Sequence, residues 1–170
     1  VMTNGGNWEK KTYKDRVDEI KKALIHIDVD EVIVGAIQDG YLKHDPDTID
    51  FLSNIIKKYS IDTVLCQYYK DTHQDHVNLG LNTLSIATSC KNLIFYESLT
   101  STEFVPNYYI DISKYEIDKK NVLKEYVSQI EKYKNRNQDL LSYIDAKDKI
   151  NGIKSHVDYA EGFIINKMVQ

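Results

Sequence analysis

Short apolar runs alternate with helical patterns along this chain, and that alternation sets the class of fold. Four segments read as strands: Glu31-Val32-Ile33-Val34-Gly35-Ala36-Ile37, Asp62-Thr63-Val64-Leu65-Cys66-Gln67, Asn92-Leu93-Ile94-Phe95-Tyr96 and Tyr108-Tyr109-Ile110-Asp111-Ile112. Each is short and rich in β-branched or aromatic residues, the signature of a buried strand. Between them lie helical patterns. Tyr13 to His26 places Val17, Ile20, Ala23, Leu24 and Ile27 on one face. Asp45-Pro46 opens a second helix, with Asp45 as N-cap and Pro46 at the first helical position, running through Leu52, Ile55 and Ile56 to about Tyr59. Gln74 to Cys90 carries Val77, Leu81, Leu84 and Ala87 at core spacing; Tyr115 to about Lys134 reads as one long amphipathic helix and Gln138 to Ile150 as another. Strands alternating with crossover helices predict an α/β fold, a mostly parallel Rossmann-like sheet flanked by helices. Such a sheet binds ligands at the carboxyl ends of its strands. The loops there are Gln38–Asp45, Tyr68–His76 and Glu97–Asn107, with the Gly5-Gly6 turn.

The chain has 170 residues, the size of one domain with its own core. Its net charge of −4 gives no electrostatic footing for nucleic acid or an anionic membrane. Cys66 and Cys90 are far apart and form no CxxC pair, which argues against a structural zinc site or a disulfide and for reduced thiols in the cytoplasm. No apolar run reaches the length of a membrane span. The opening Val1-Met2-Thr3-Asn4-Gly5-Gly6 lacks the basic and apolar regions of a signal peptide and reads as the end of a strand entering a Gly-rich turn. The 13 tyrosines include the pairs Tyr68-Tyr69 and Tyr108-Tyr109 near the candidate loops. Such rings can stack on a sugar, although packing against the core is the expected role. Oligomeric state stays open, a homo-oligomer included.

The densest chemical cluster is Asp71-Thr72-His73-Gln74-Asp75-His76, between a buried strand and a helix. On a first helical turn, residues i and i+3 point the same way, so His73 and His76 can face one ligand together. A helix N-terminus disfavours imidazolium and keeps a histidine available to a metal. Asp75 between them could orient one ring through its second nitrogen. The competing reading is a solvated loop with Asp71 or Thr72 as a helix cap. His44-Asp45-Pro46-Asp47 has similar residue types, but there Asp45 is expected to cap a helix. His26 and His156 have no ligand-like neighbours in sequence.

An ordered set of segments resembles the PIG-L/LmbE family, whose members remove N-acetyl groups from glucosamine-containing substrates. Asp71 to His76 resembles its D-x-H-x-D-H signature, and Thr3-Asn4-Gly5-Gly6 the turn after its second strand. Arg16-Val17-Asp18-Glu19 resembles its R-x-x-E helix start and Asp39-Gly40-Tyr41-Leu42 its D-G-x-L loop. Phe104-Val105-Pro106-Asn107 with Tyr109-Ile110-Asp111-Ile112, the pair Ser128-Gln129, and Tyr159-Ala160-Glu161-Gly162-Phe163 follow in the family's order. The resemblance implies a zinc ion held by His76, with His73 as general acid or polariser of the oxyanion. It implies Asp75 as the residue orienting a histidine, and Arg16 and Asp39 in the substrate pocket. The substrate would be a small amino-sugar conjugate.

The family's first signature, A-H-P-D-D-E, is not among these residues. In the family its histidine and second aspartate bind zinc and its first aspartate is the general base. The expectation is therefore a single LmbE-like domain over 1–170, N-terminally truncated by the first strand, first helix and most of the second strand. Zinc affinity should be poor and the chain inactive as written. A catalytically dead homologue that binds a sugar or nucleotide sugar is the alternative, and a metal-free domain with incidental histidines a third.

Overall fold

The computed structural model describes residues 1–3 and 13–169. Elements run in the order α1 (Tyr13–Ala23), α2 (Pro46–Tyr59), β1 (Thr63–Gln67), α3 (Gln74–Ser85), β2 (Asn92–Tyr96), β3 (Tyr108–Asp111), α4 (Glu116–Lys124), α5 (Val127–Lys134), α6 (Leu140–Ser155) and β4 (Ala160–Lys167). The residues gather in two compact units, Val1–Gln38 with Tyr109–Glu161, and Asp39–Tyr108 with Gly162–Gln170. The strand order is β1-β2-β4-β3. Among the described residues no helix is long and apolar enough to cross a membrane.

In the unit that begins at Asp39, β1 and β2 pair in parallel from Thr63↔Asn92 to Gln67↔Tyr96, as strands joined by a crossover helix should. Strand β4 then adds antiparallel to β2, with Phe95 opposite Ile164. The sheet is therefore mixed, which corrects the expectation of a mostly parallel one. The final segment returns as a strand, whereas the sequence offers there only the motif ending at Phe163. Alternation along the strands sends Cys66, Leu93 and Phe95 into one core with Cys90 and with Tyr68 just beyond β1, against which Leu79, Leu84 and Phe104 pack. Tyr68 is buried there, its ring 5.9 Å from Phe95 and 5.4 Å from Phe104. At Tyr68 the tyrosine is thus core rather than pocket rim. Helix α2 starts as expected: the Asp45 carboxylate accepts the Thr48 N–H at 2.9 Å and Pro46 follows. Helix α3 lies so close to the strand end that a Cβ on Gly80 would stand 2.8 Å from the Tyr69 Cα.

In the unit that begins at Val1, residues 1–3 run beside residues 33–37. The Val1 amine donates to Ile33 O at 2.8 Å, Gly35 N–H donates to Val1 O at 2.6 Å, and Thr3 bridges Ile37 in parallel. Gly35 has no room for a side chain, because a Cβ would overlap Met2 O. The run from Glu31 to Ile37 has the composition of a buried strand, yet among the described residues it forms only that bridge, and Val32 is 39% exposed. β-branched content favours a strand only where pairing and cover are supplied.

The single helix expected from Tyr115 to Lys134 is broken into α4 and α5 at Glu125–Tyr126, where Tyr126 leaves helical geometry at φ −83, ψ 56. No Pro or Gly marks the break in sequence. The Ser128 N–H, freed at the start of α5, donates to Glu19 Oε1 of α1 at 2.7 Å, so a distant carboxylate meets one of the unpaired donors of a helix start.

Candidate active site

Strand β1 ends at Gln67, and the chain then turns through Tyr68–Thr72 into α3. His73 is the N-cap of that helix. Its Nδ1 accepts the Asp75 N–H at 3.3 Å. A neutral His73 therefore carries its proton on Nε2. His76 stands one turn on, its ring stacked on His73 at 4.6 Å with 21° between planes. The two rings do share one face, as their spacing implies.

The carboxylate bonded to a site histidine is that of Asp71. Its Oδ2 lies 3.1 Å from His76 Nδ1, and its Oδ1 accepts the His73 N–H at 2.7 Å. Ser98 Oγ donates to the same Oδ2, and Ser101 Oγ does so at 3.3 Å. Burial pushes the Asp71 carboxyl up, but hydrogen bonds from Ser98, Thr100, His73 N–H and His76 outweigh it and hold the group at about 2. The sequence offers Asp71 as a loop or cap residue and as the first letter of the D-x-H-x-D-H stretch, with no role of its own, and Ser98–Ser101 only as part of a loop. The signal available is an aspartate five residues before His76, on the strand side of the turn.

Asp75 is 5% exposed and spends its carboxylate elsewhere. Oδ2 accepts the Gly40 N–H at 2.7 Å and Oδ1 the Leu42 N–H at 3.1 Å. Gln74 Nε2 also donates to Gly40 O. The D-G-x-L segment is thereby tied to the first turn of α3, with Gly40 at φ +85, a conformation that suits glycine. The tie brings Asp39 to the histidines. One ligand atom each from Asp39, His73 and Asp75 lie within 4.8 Å of one another, an array that could hold a divalent metal. His44 is engaged elsewhere, its Nδ1 2.9 Å from Asn82 Oδ1.

Arg16 belongs to the other unit. Its Nη1 donates to Ser128 Oγ at 2.6 Å and lies 3.4 Å from Glu19 Oε2. Gln129 also faces this guanidinium, and since a guanidinium offers only donors, the facing atom is the amide oxygen. Two pairs noted in sequence, Arg16 with Glu19 and Ser128 with Gln129, thus meet across 109 residues. Arg16 also borders a small hollow of about 130 Å3 lined by Val17, Ile20, Val34 and Tyr126. Asn4, Gly5 and Gly6 lie outside the described residues.

At His76, the ring Nδ1 faces the Asp71 carboxylate at 3.1 Å. With Nδ1 turned to a carboxylate, Nε2 is left as a donor, the pattern of a carboxylate-backed metal histidine. Thiol chemistry is disfavoured: burial pushes Cys66 up to about 11, although Thr83 donates to its sulfur, and Cys90 is buried as well.

Known structures share this fold. The conserved protein TT1542 from Thermus thermophilus matches at TM-score 0.80 and 21% identity, over 99% of this chain and 80% of that one. N,N'-diacetylchitobiose deacetylase from Pyrococcus horikoshii, in complex with its inhibitor MPG, matches at TM-score 0.76 and 19% identity, over 96% and 70%. The zinc-inhibited form of teicoplanin deacetylase Orf2 matches at TM-score 0.71 and 17% identity, over 90% and 73%. The fold alone does not choose the reaction, since GalB, a 4-carboxy-2-hydroxymuconate hydratase, also matches at TM-score 0.71. The family model described as PIG-L, GlcNAc-PI de-N-acetylase, matches residues 2–87, and the chain belongs to that family.

Proposed function

We propose that this protein is a zinc-dependent hydrolase that removes an N-acetyl group from a glucosamine-containing or similar small amide. The observation that carries the reading is the complementary pair on the first turn of α3. His76 is backed by Asp71, and a neutral His73 keeps its proton on Nε2. His76 is the residue that would hold zinc, which supplies an acidified water and polarises the amide carbonyl. In this reading His73 donates its Nε2 proton, first as a hydrogen bond to the developing oxyanion and then to the departing amine. Asp39, beside it, can accept from a sugar hydroxyl. The net change is amide plus water to acetate plus free amine.

A tetrahedral catalytic zinc takes three protein ligands. The family's HPDD signature, with its base, is not among these 170 residues. On these residues alone we expect weak zinc binding and no amidase turnover. The alternative reading is a homologue that binds an amino sugar without cleaving it.

The test is zinc content and acetate release from N-acetylglucosamine conjugates, for this chain and for a version carrying an upstream HPDD segment. The longer protein should bind one zinc and release acetate. His76→Ala should lose zinc, and His73→Ala should keep zinc while kcat falls by on the order of 100-fold or more. Retained zinc and turnover in H76A would overturn the assignment. Sugar binding without acetate release would favour the binding homologue.

A further inference from the structure

We propose that Asp71, clamped by Ser98 and Ser101, is a positioning residue that fixes His76 as the Nδ1-protonated tautomer and so leaves Nε2 as the donor atom for a metal. The proposal rests on the reading of His76 as a metal ligand.

Three groups converge on one oxygen. Asp71 Oδ2 takes the Ser98 hydroxyl, the Ser101 hydroxyl at 3.3 Å and His76 Nδ1 at 3.1 Å. The Asp71 side chain has no exposed surface, so water does not compete for these positions. An oxygen that accepts hydroxyl protons faces the ring as an acceptor too, and Nδ1 must carry the proton. Thr100 Oγ1 lies 3.4 Å from the same Nδ1, on the Nδ1 side of the ring.

The clamp is itself fixed by backbone. Asp71 and Ser101 form an antiparallel bridge. Thr72 N–H donates to Thr100 O at 3.0 Å and Thr102 N–H to Lys70 O at 2.8 Å. Ser98 N–H donates to Ser101 Oγ at 2.9 Å, which orients the hydroxyl toward the carboxylate. The turn after β2 thus holds the Asp71 of the turn after β1, which in turn faces a histidine on the first turn of α3. The other oxygen, Oδ1, holds the His73 backbone, so one carboxylate places both imidazoles. A carboxylate behind a metal histidine fixes its tautomer and orientation, and removing it costs about 10–100-fold in metal affinity.

The test uses metal-free protein labelled with 15N at histidine, with long-range 1H–15N spectra at neutral pH. His76 should show a protonated Nδ1 and a bare Nε2. Asp71→Ala should shift it toward the Nε2–H form and weaken Zn2+ binding by about 10-fold or more. Ser98→Ala keeps the carboxylate and should give a smaller shift in the same direction, with an otherwise intact amide spectrum. An Nε2-protonated His76 in the unaltered protein, or a tautomer unmoved by both substitutions, overturns the proposal. If the tautomer shifts as expected but His76→Ala leaves Zn2+ affinity unchanged, the clamp stands and the metal reading fails.

Discussion

Replacing Asp75 by Asn changes one atom type and should loosen two motifs together. The carboxylate accepts the N–H groups of Gly40 at 2.7 Å and Leu42 at 3.1 Å, and Leu42 is 3% exposed. A hydrogen bond to a charged group contributes about 1.5–3 kcal/mol net. Asparagine can offer its carbonyl oxygen to one N–H but then points an NH2 donor at the other. One charge-assisted bond weakens to a neutral one, and one backbone N–H loses its partner, at a further cost of about 1–3 kcal/mol. Lost charge at the first turn of α3 adds on the order of 0.5 kcal/mol. Asp75→Asn should therefore destabilise by about 3 kcal/mol in urea unfolding at pH 7, with large changes in the amide shifts of Gly40 and Leu42. A variant within about 0.5 kcal/mol of the parent, the range of an ordinary surface change, with those two amides unmoved, would refute the assignment of the carboxylate to the loop.

Three other outcomes are expected. Asp71 titrates near 2 when folded, below its ordinary 3.8. Its contribution is present above about pH 4 and is lost as pH falls toward 2. Asp71→Asn should remove on the order of 1 kcal/mol of that acid dependence, read from urea midpoints between about pH 5 and 2. Gly80→Ala puts a Cβ 2.8 Å from Tyr69 Cα and should cost about 1–3 kcal/mol, read as a lower Tm. Ser128 is fully buried and its hydroxyl donates to Glu19 at 2.7 Å. Ser128→Ala should cost about 1–2 kcal/mol in urea, and more than Ser85→Ala at an exposed position of α3.

Local signals carry most of the fold. The Asp45-Pro46 start of α2 and the β-branched or aromatic runs of β1 and β2 are properties of neighbouring residues, and they lie where the pattern puts them. The histidine turn is legible for the same reason, because i and i+3 on one helix need nothing else to meet. What escapes is non-local. The break at Tyr126 is followed by a Ser128 N–H whose partner is Glu19, 109 residues away in sequence. The antiparallel return of β4 depends on how the chain comes back, which no local pattern encodes. Within the site, Asp71 gains its role from hydroxyls 27 and 30 residues away. Asp75, singled out by its place between two histidines, has its bonds 35 and 33 residues upstream.

The bonds from Asp75 to Gly40 and Leu42 also bear on how this region can evolve or be re-engineered. Asp39-Gly40-Tyr41-Leu42 and the histidine turn look like separate short motifs when read along the chain, yet one buried carboxylate makes them halves of a single part. A loop grafted from a relative with a different length between them would arrive without its anchor. Natural changes at one should be matched at the other, so the two segments are inherited as a pair rather than residue by residue.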